Sequence, residues 1–487
     1  MKINWQLVKQ RFQFFDPSGL DADTVRSLKV FIYAVMGGVV WSNITTGVAM
    51  TGYMKQLGAS DFLYGIVMAL PPLANAFQFL VSYWMERTLK RTELFMISGL
   101  IQRSIWIPLA LAPFFVPATQ PQLRLWSVVV LAAVSAGMGP LMNVPFYSLL
   151  NDVVPMRIRG RYLATRSKIS TLVGLLLGLI TGFVLDALPG YAGYAVVFVI
   201  AGVFGLFDIC CYFFTKLPPM RPTPGRAGLW AMLRQVLSDK KYMRMVLSLT
   251  AWFFSVQLCA PYMNVFARSG VMMSNFQVIL TGQVMYNLLL VLVVSKWGRA
   301  MDEYGNKPVF VVSCFLSAFM PAFWIWLGPG MMAVVAVSQA FSGATYCAVD
   351  LSAQNLFMNQ APEKNRSMYY AVYFIFTQLL GLALGSAAGG FLLDNVLCRV
   401  EQAALSLGGV PFTRYNALFA LSTALRLTVV LSLLVRIEDA QARPVADLAR
   451  AMRAAPARFA AVLSYGIKRR ALRKQYDRSL RRGRKEK

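Results

Sequence analysis

The chain has 487 residues, of which 57% are hydrophobic and only 14% charged, and it contains no histidine. So little charge excludes an ordinary soluble domain, whose residues are about one-quarter Asp, Glu, Lys and Arg. The missing histidine excludes His-based zinc and acid–base sites. Of the six cysteines, Cys210, Cys211, Cys259, Cys314 and Cys347 fall in apolar spans and only Cys398 lies outside them, so neither a disulfide framework nor a metal site is indicated. No catalytic residue, cofactor or metal is expected.

The first 29 residues form a polar lead-in. Within it Ile3, Leu7, Val8, Phe12 and Phe15 share one helical face, which predicts an amphipathic helix on the inner membrane surface. The apolar stretch that begins near Lys29 is too long for a cleavable signal and follows a polar segment. From there, spans of membrane-crossing length are predicted at 30–54, 61–85, 93–116, 123–150, 166–187 and 192–215, which make a first six-helix half. The stretch 216–242 carries Pro218, Pro219, Pro222 and Pro224 and reads as a linker. A second half, 243–436, holds spans 243–266, 274–298, 308–328, 331–357, 366–393 and 413–436, and a basic tail runs from 437 to 487. In lipid the backbone must satisfy its own hydrogen bonds, so these spans are helices, and they lack the short alternating segments of a barrel.

The net charge of +27 is distributed unevenly. With twelve spans, 41 of the 48 Lys and Arg fall on the side that holds both termini, 5 on the other side (Lys55, Arg124, Arg268, Arg399, Arg414), and 2 within spans. This asymmetry places both termini in the cytoplasm. The tail mixes Leu448, Phe459, Val462, Leu463 and Leu472 with its basic residues, which suits anionic lipid or plain solvation, and no nucleic-acid partner is expected.

The halves repeat each other. Pro155, Arg159 and Tyr162 match Pro362, Arg366 and Tyr369 at an offset of 207, and the match continues from Gly174 and Gly178 to Gly381 and Gly385. After one inserted residue, Gly182, Phe183 and Asp186 meet Gly390, Phe391 and Asp394. The ladders Gly174/Gly178/Gly182 and Gly381/Gly385/Gly389 are small-xxx-small faces, expected to pack either between the halves or inside one of them. Duplicated helical halves about a central cavity are the organisation of many secondary carriers.

Between spans 8 and 9 stands Gly298-Arg-Ala-Met-Asp302-Glu-Tyr-Gly305-Asn-Lys307. This loop resembles the signature of the major facilitator superfamily, with Glu303 and Asn306 replacing two basic positions; the corresponding loop of the first half keeps Glu86 without the glycines. The resemblance implies an all-α fold of twelve transmembrane helices in two pseudo-symmetric halves that work by alternating access. By the same resemblance, Asp302 with Arg366 and Glu86 with Arg159 are candidate latches of the cytoplasmic gate, and Gly298 and Gly305 allow its tight turn.

Four ionisable residues stand in mid-span, where each costs at least ~2.5 kcal/mol unless it faces protein or water: Arg103, Asp208, Asp350 and Arg426. The depths of Arg103 and Asp208 agree within about a turn, which predicts a structural ion pair. The resemblance makes helices 1, 4, 7 and 10 the cavity wall, so Asp350 becomes the candidate proton or cation site. The offset of 207 sets Asn143 opposite Asp350, and aligning Asp61-Phe62 with Asn275-Phe276 (offset 214) sets Asn43 opposite Gln257. Trp41, Trp252, Tyr147 and Tyr346 complete the expected aromatic wall.

The expected function is a secondary active transporter of a small organic solute in the cytoplasmic (inner) membrane, coupled to protons or another ion and contacting membrane lipids, with a monomer expected. No nucleotide-binding loop is present to drive it with ATP. An uncoupled facilitator, a drug-type antiporter, a lipid-modifying membrane enzyme and a channel are the rivals. A sugar, a nucleoside or a cationic amphiphile suits the predicted cavity equally.

Overall fold

The computed structural model describes residues 21–155, 158–215, 217–218, 220, 229–362, 366–402, 406–407, 410–439 and 442–454. The predicted amphipathic helix at 3–15 and the tail beyond 454 lie outside the described residues. Among the described residues, twelve helices are long and apolar enough to cross a membrane. In the first half these are α1 Asp23–Thr46, α2 Asp61–Thr88, α3 Arg91–Phe115, α4 Pro121–Val153, α5 Tyr162–Ala187 and α6 Tyr191–Phe214. The second half has α7 Lys240–Ser269, α8 Asn275–Tyr304, α9 Asn306–Ile325, α10 Met332–Gln360, α11 Met368–Glu401 and α12 Arg414–Arg436. Among the described residues the fold is all-α apart from a two-residue pairing of Ser406–Leu407 with Val410–Pro411. Successive helices alternate in direction. The loops after even-numbered helices therefore share one face with the described ends, residues 21 and 454, the terminal face, and the loops after odd-numbered helices lie on the opposite face.

Several helices are interrupted where the sequence demands it. α1 breaks at Gly47 and continues as Val48–Gln56, and its counterpart α7 breaks at Leu258–Cys259 ahead of Pro261. Pro71 and Pro72 remove backbone donors from α2, which breaks at Ala76–Phe77 before resuming at Gln78. α8 and α11 each contain a widened π segment, Leu280–Met285 and Phe376–Ala383.

α5 shows how one helix meets protein and lipid. Leu172, Leu176, Ile180 and Phe183 are exposed along one stripe, while Gly174, Gly178 and Gly182 line another. A Cβ on Gly178 would stand 2.4 Å from Gln283 of α8, and one on Gly182 would stand 2.7 Å from the Phe276 Cα. That part of the ladder joins the two halves. The second ladder divides differently: Gly381, Gly385 and Gly389 press on α7 of their own half, and only the adjoining Gly390 meets Asp61 and Phe62 of α2.

The described start of the tail packs on protein, while the rest of it, with Phe459, Val462, Leu463 and Leu472, lies outside the described residues. Val445–Ala454 is a helix that packs on protein, with Leu448 fully buried in a cluster containing Trp297, Met301, Val309 and Ala348. The Arg443 amide donates to the Tyr304 carbonyl at 3.0 Å, and Asp439 accepts from the Lys307 amide at 3.3 Å. An apolar stripe on a basic helix here finds a protein groove rather than lipid or water.

Candidate functional site: a cavity between the halves

On the opposite face the halves are tied together by two equivalent contacts. Asp186, at the end of α5, accepts from the amides of Asn275 and Phe276 at 2.9 Å each and from Asn275 Nδ2 at 2.8 Å, which caps α8 of the other half. Asp394, at the end of α11, accepts from the Phe62 amide at 2.7 Å and so caps α2. A carboxylate suits this place because the first amides of a helix have no internal partner and carry the positive end of its dipole. Beside them Asp61 is buried and meets Lys55 at 2.5 Å, Arg414 of α12 at 3.1 Å and the Tyr415 hydroxyl at 2.9 Å. Tyr64 of α2 donates to the Pro261 carbonyl of α7 at 3.2 Å. The terminal-face ends of α2 and α8 (residues 78–88 and 286–304) make their main contacts within their own halves.

Beneath this closure lie two adjoining cavities of about 580 and 410 Å³, which share Gln257, Ala260 and Asn264 of α7. The larger is walled chiefly by the first half, including Trp41, Gln102, Arg103 and Asn143. The smaller is walled chiefly by the second half, including Gln283, Tyr286, Gln339, Tyr346 and Arg426. The breaks at Gly47 and Leu258–Cys259 fall at this level, and the π segments bring Gln283 and Gln378 into the walls. Widened turns of this kind gather at functional sites.

The structure therefore brings Trp41, Asn143, Gln257 and Tyr346 to the cavity, but not the other expected residues. Asn43 faces Gly174 of α5, and its Nδ2 donates to the Val39 carbonyl of its own helix at 3.1 Å. Trp252 is wholly buried in the core of the second half. Tyr147 and Asp350 are exposed, each one turn nearer the terminal face than the wall residues Asn143 and Tyr346.

The wall positions of α4 and α10 match in two registers. Ala132, Ser135 and Gly139 correspond to Gln339, Ser342 and Tyr346 at the offset of 207 that the loop motif gave, and Ala136, Gly139 and Asn143 correspond to the same three at 203. Asn143 lines the wall, and Asp350 lies one turn below it.

Arg103 and Asp208 come together, with Nη2 to Oδ2 at 3.2 Å and both side chains buried. The guanidinium also lies over the Trp41 ring, 3.6 Å from its centroid. Two glycines make the room: a Cβ on Gly205 would stand 2.8 Å from Arg103 Cδ, and one on Gly38 would stand 2.8 Å from Asp208 Oδ2.

At the terminal face, Gly305 takes φ +92°, a left-handed conformation that favours glycine, with Ala442 against it. Gly298 has open space around its Cα, so close helix approach does not explain it. Asp302 is exposed, and the Arg366 side chain lies outside the described residues. Arg159 donates to the carbonyls of Asn151 and Val154 at 2.6 and 3.1 Å, and Glu86 is half-buried. A contact that sequence reasoning missed ties this face of the first half: buried Arg91 reaches Asp152 at 2.6 Å, Ser148 at 2.9 Å and the Pro218 carbonyl at 2.7 Å.

Comparison with known proteins places this architecture. Solved structures of similar fold include a mutant of the nucleoside transporter NupG, at 14% identity and TM-score 0.63 over 85% of this chain and 100% of that one. The peptide transporter POT matches at 11% identity and TM-score 0.61 over 88% and 98%. The inward open xylose transporter XylE from E. coli matches at 13% identity and TM-score 0.59 over 86% and 98%. No curated protein matches the chain. The family model described as Major Facilitator Superfamily matches residues 30–296 and again 271–475, so the chain belongs to that superfamily and is a transporter rather than an enzyme.

Proposed function

We propose that the chain is a secondary carrier that moves a small polar organic solute across the cytoplasmic membrane, coupled to protons through Asp350. The observation that carries this reading is the pair of joined cavities at the meeting of the two repeats, closed on one face by carboxylate-capped helices. The wall is mostly apolar, and most of its polar side chains are neutral amides such as Gln102, Asn143, Gln257 and Asn264, which exchange hydrogen bonds with a polar solute. The charge asymmetry supports a cytoplasmic terminal face, so the cavity in this state opens inward.

Asp350 suits a coupling role by position. It is exposed one turn below the cavity wall, and among the described residues no cation or hydrogen-bond donor reaches it. The neighbouring hydroxyls are occupied: Thr345 donates to the Phe341 carbonyl at 3.0 Å, and Ser352 to that of Ala348. Tyr286 of α8, Cys314 of α9, Tyr346 and Cys347 of α10 and Tyr373 of α11 are the titratable groups within its electrostatic reach. A carboxylate without a fixed partner is free to take up and release a proton as the cavity changes sides.

The test uses a solute first identified by thermal stabilisation of the purified protein and then assayed in proteoliposomes. Asp350→Asn is expected to retain solute exchange but lose accumulation against a gradient and its dependence on pH. Wild-type accumulation with an unchanged pH profile in this variant would make the protein an uncoupled facilitator or move the coupling elsewhere.

Orientation is tested separately. Native Cys398, half-buried at the opposite-face end of α11, is expected to react with an impermeant maleimide from outside intact cells. A cysteine placed at Arg226 is expected to stay protected. The reverse pattern would invert the topology.

A further inference from the structure

The two halves of the cavity wall differ in charge. Each contains one buried arginine, Arg103 at 4% exposure and Arg426 at 3%. Arg103 is neutralised by Asp208 and covered by Trp41. Arg426 has no carboxylate within ion-pair distance among the described residues. Its Nη1 donates to the Ser317 carbonyl at 3.2 Å, and its Nη2 donates to the Val256 carbonyl at 3.2 Å and lies 3.3 Å from Cys259 Sγ. Its Nε is buried with no acceptor among the described residues.

Carbonyl dipoles orient a guanidinium but do not cancel its charge. A buried cation is strongly unfavourable until an anion compensates it, and a guanidinium is shaped to bind a carboxylate. Arg426 also lines the smaller cavity, in company with Gln257, Asn264, Gln283, Gln339 and Tyr346. The amides of these neighbours can donate to an oxyanion that one cation anchors.

We infer that the second-half cavity is an anion subsite in which Arg426 recognises the carboxylate of a small organic monoanion. One uncompensated cation matches one negative charge, which favours a carboxylate over a phosphate dianion. The inference rests on the carrier reading of this cavity and narrows its solute to a class. It is independent of how the solute is driven.

The experiment is a thermal-stability titration of the full-length purified protein at constant ionic strength. The probes are benzoate, inorganic phosphate, xylose and tetramethylammonium. Benzoate is expected to stabilise saturably and the other three not, and Arg426→Gln is expected to weaken benzoate binding at least tenfold. Because Arg426→Gln risks misfolding, Gln339→Leu provides a second arm that leaves the buried charge in place, and it is expected to weaken benzoate several-fold. Wild-type benzoate affinity in a folded Arg426→Gln protein would overturn the inference. Unchanged affinity in Gln339→Leu would do the same if Arg426→Gln fails to fold. Stabilisation by phosphate, xylose or tetramethylammonium without benzoate, or by none of the four, also overturns the anion subsite. The carrier reading is judged by transport in proteoliposomes, so a failure here leaves that reading standing.

Discussion

Removing either charge of the Arg103–Asp208 pair is expected to destabilise the protein by ~3–5 kcal/mol, because each single change strands the partner's charge in the membrane interior. The surroundings sharpen this expectation. Asp208 gains its position because Gly38 leaves space beside Oδ2, and Arg103 because Gly205 leaves space beside Cδ. Asp208→Asn keeps the shape and loses the charge. Arg103→Met keeps most of the volume but gives up the charge and its stacking on Trp41, the latter worth ~2 kcal/mol in a desolvated setting. The combined Arg103→Met/Asp208→Asn protein is expected to be more stable than Asp208→Asn alone, since no uncompensated ion remains. Thermal unfolding of the purified single and double variants measures the coupling. Two single variants that unfold at the wild-type temperature would show that the pair has no structural weight.

Much of the fold was legible because a membrane reduces the choices. An apolar run of twenty residues has one solution in lipid, and the predicted spans overlap the observed helices throughout. The lapses occur where a helix is interrupted or starts among polar residues. The predicted first span, 30–54, begins eight residues after the helix that starts at Ala22, because Arg26 and Lys29 interrupt its apolar character. It also runs through the break at Gly47.

The cavity was legible only in part, for a reason of periodicity. A four-residue step slightly exceeds one helical turn and keeps the same face inward. Face alone therefore does not set depth, and Asp350, placed in the wall by its span, stands one turn below Tyr346. Trp252 failed differently. A helix apolar on most sides offers no stripe from which to tell core from cavity, and Trp252 belongs to the core. Arg426 was visible as a mid-span charge, but its carbonyl partners leave no trace in a side-chain pattern.

Asp186 and Asp394 stood out in sequence only as a repeated acid, because their partners are backbone amides. Yet they hold the closed face, and their joint removal is expected to redistribute the carrier between its two states. Loss of a helix cap costs about 0.5–2 kcal/mol, and both caps cross between halves, so both must part before the opposite face opens. Removing the pair is therefore worth ~1–4 kcal/mol against the closed state, and at 1.4 kcal/mol per tenfold the equilibrium shifts by roughly one to three orders of magnitude. Asp61 with Arg414 and Lys55 remains to oppose the opening, which keeps the expected effect below complete inversion. Spin labels at Gln56 of the first half and Met272 of the second, both exposed at the closed rim, report the separation in a background whose native cysteines are replaced. The parent is expected to show one short distance. Asp186→Ala/Asp394→Ala is expected to add a longer one as a major population, with each single variant between. A double variant that keeps the parent's single short distance would mean that closure of this face does not depend on the two caps.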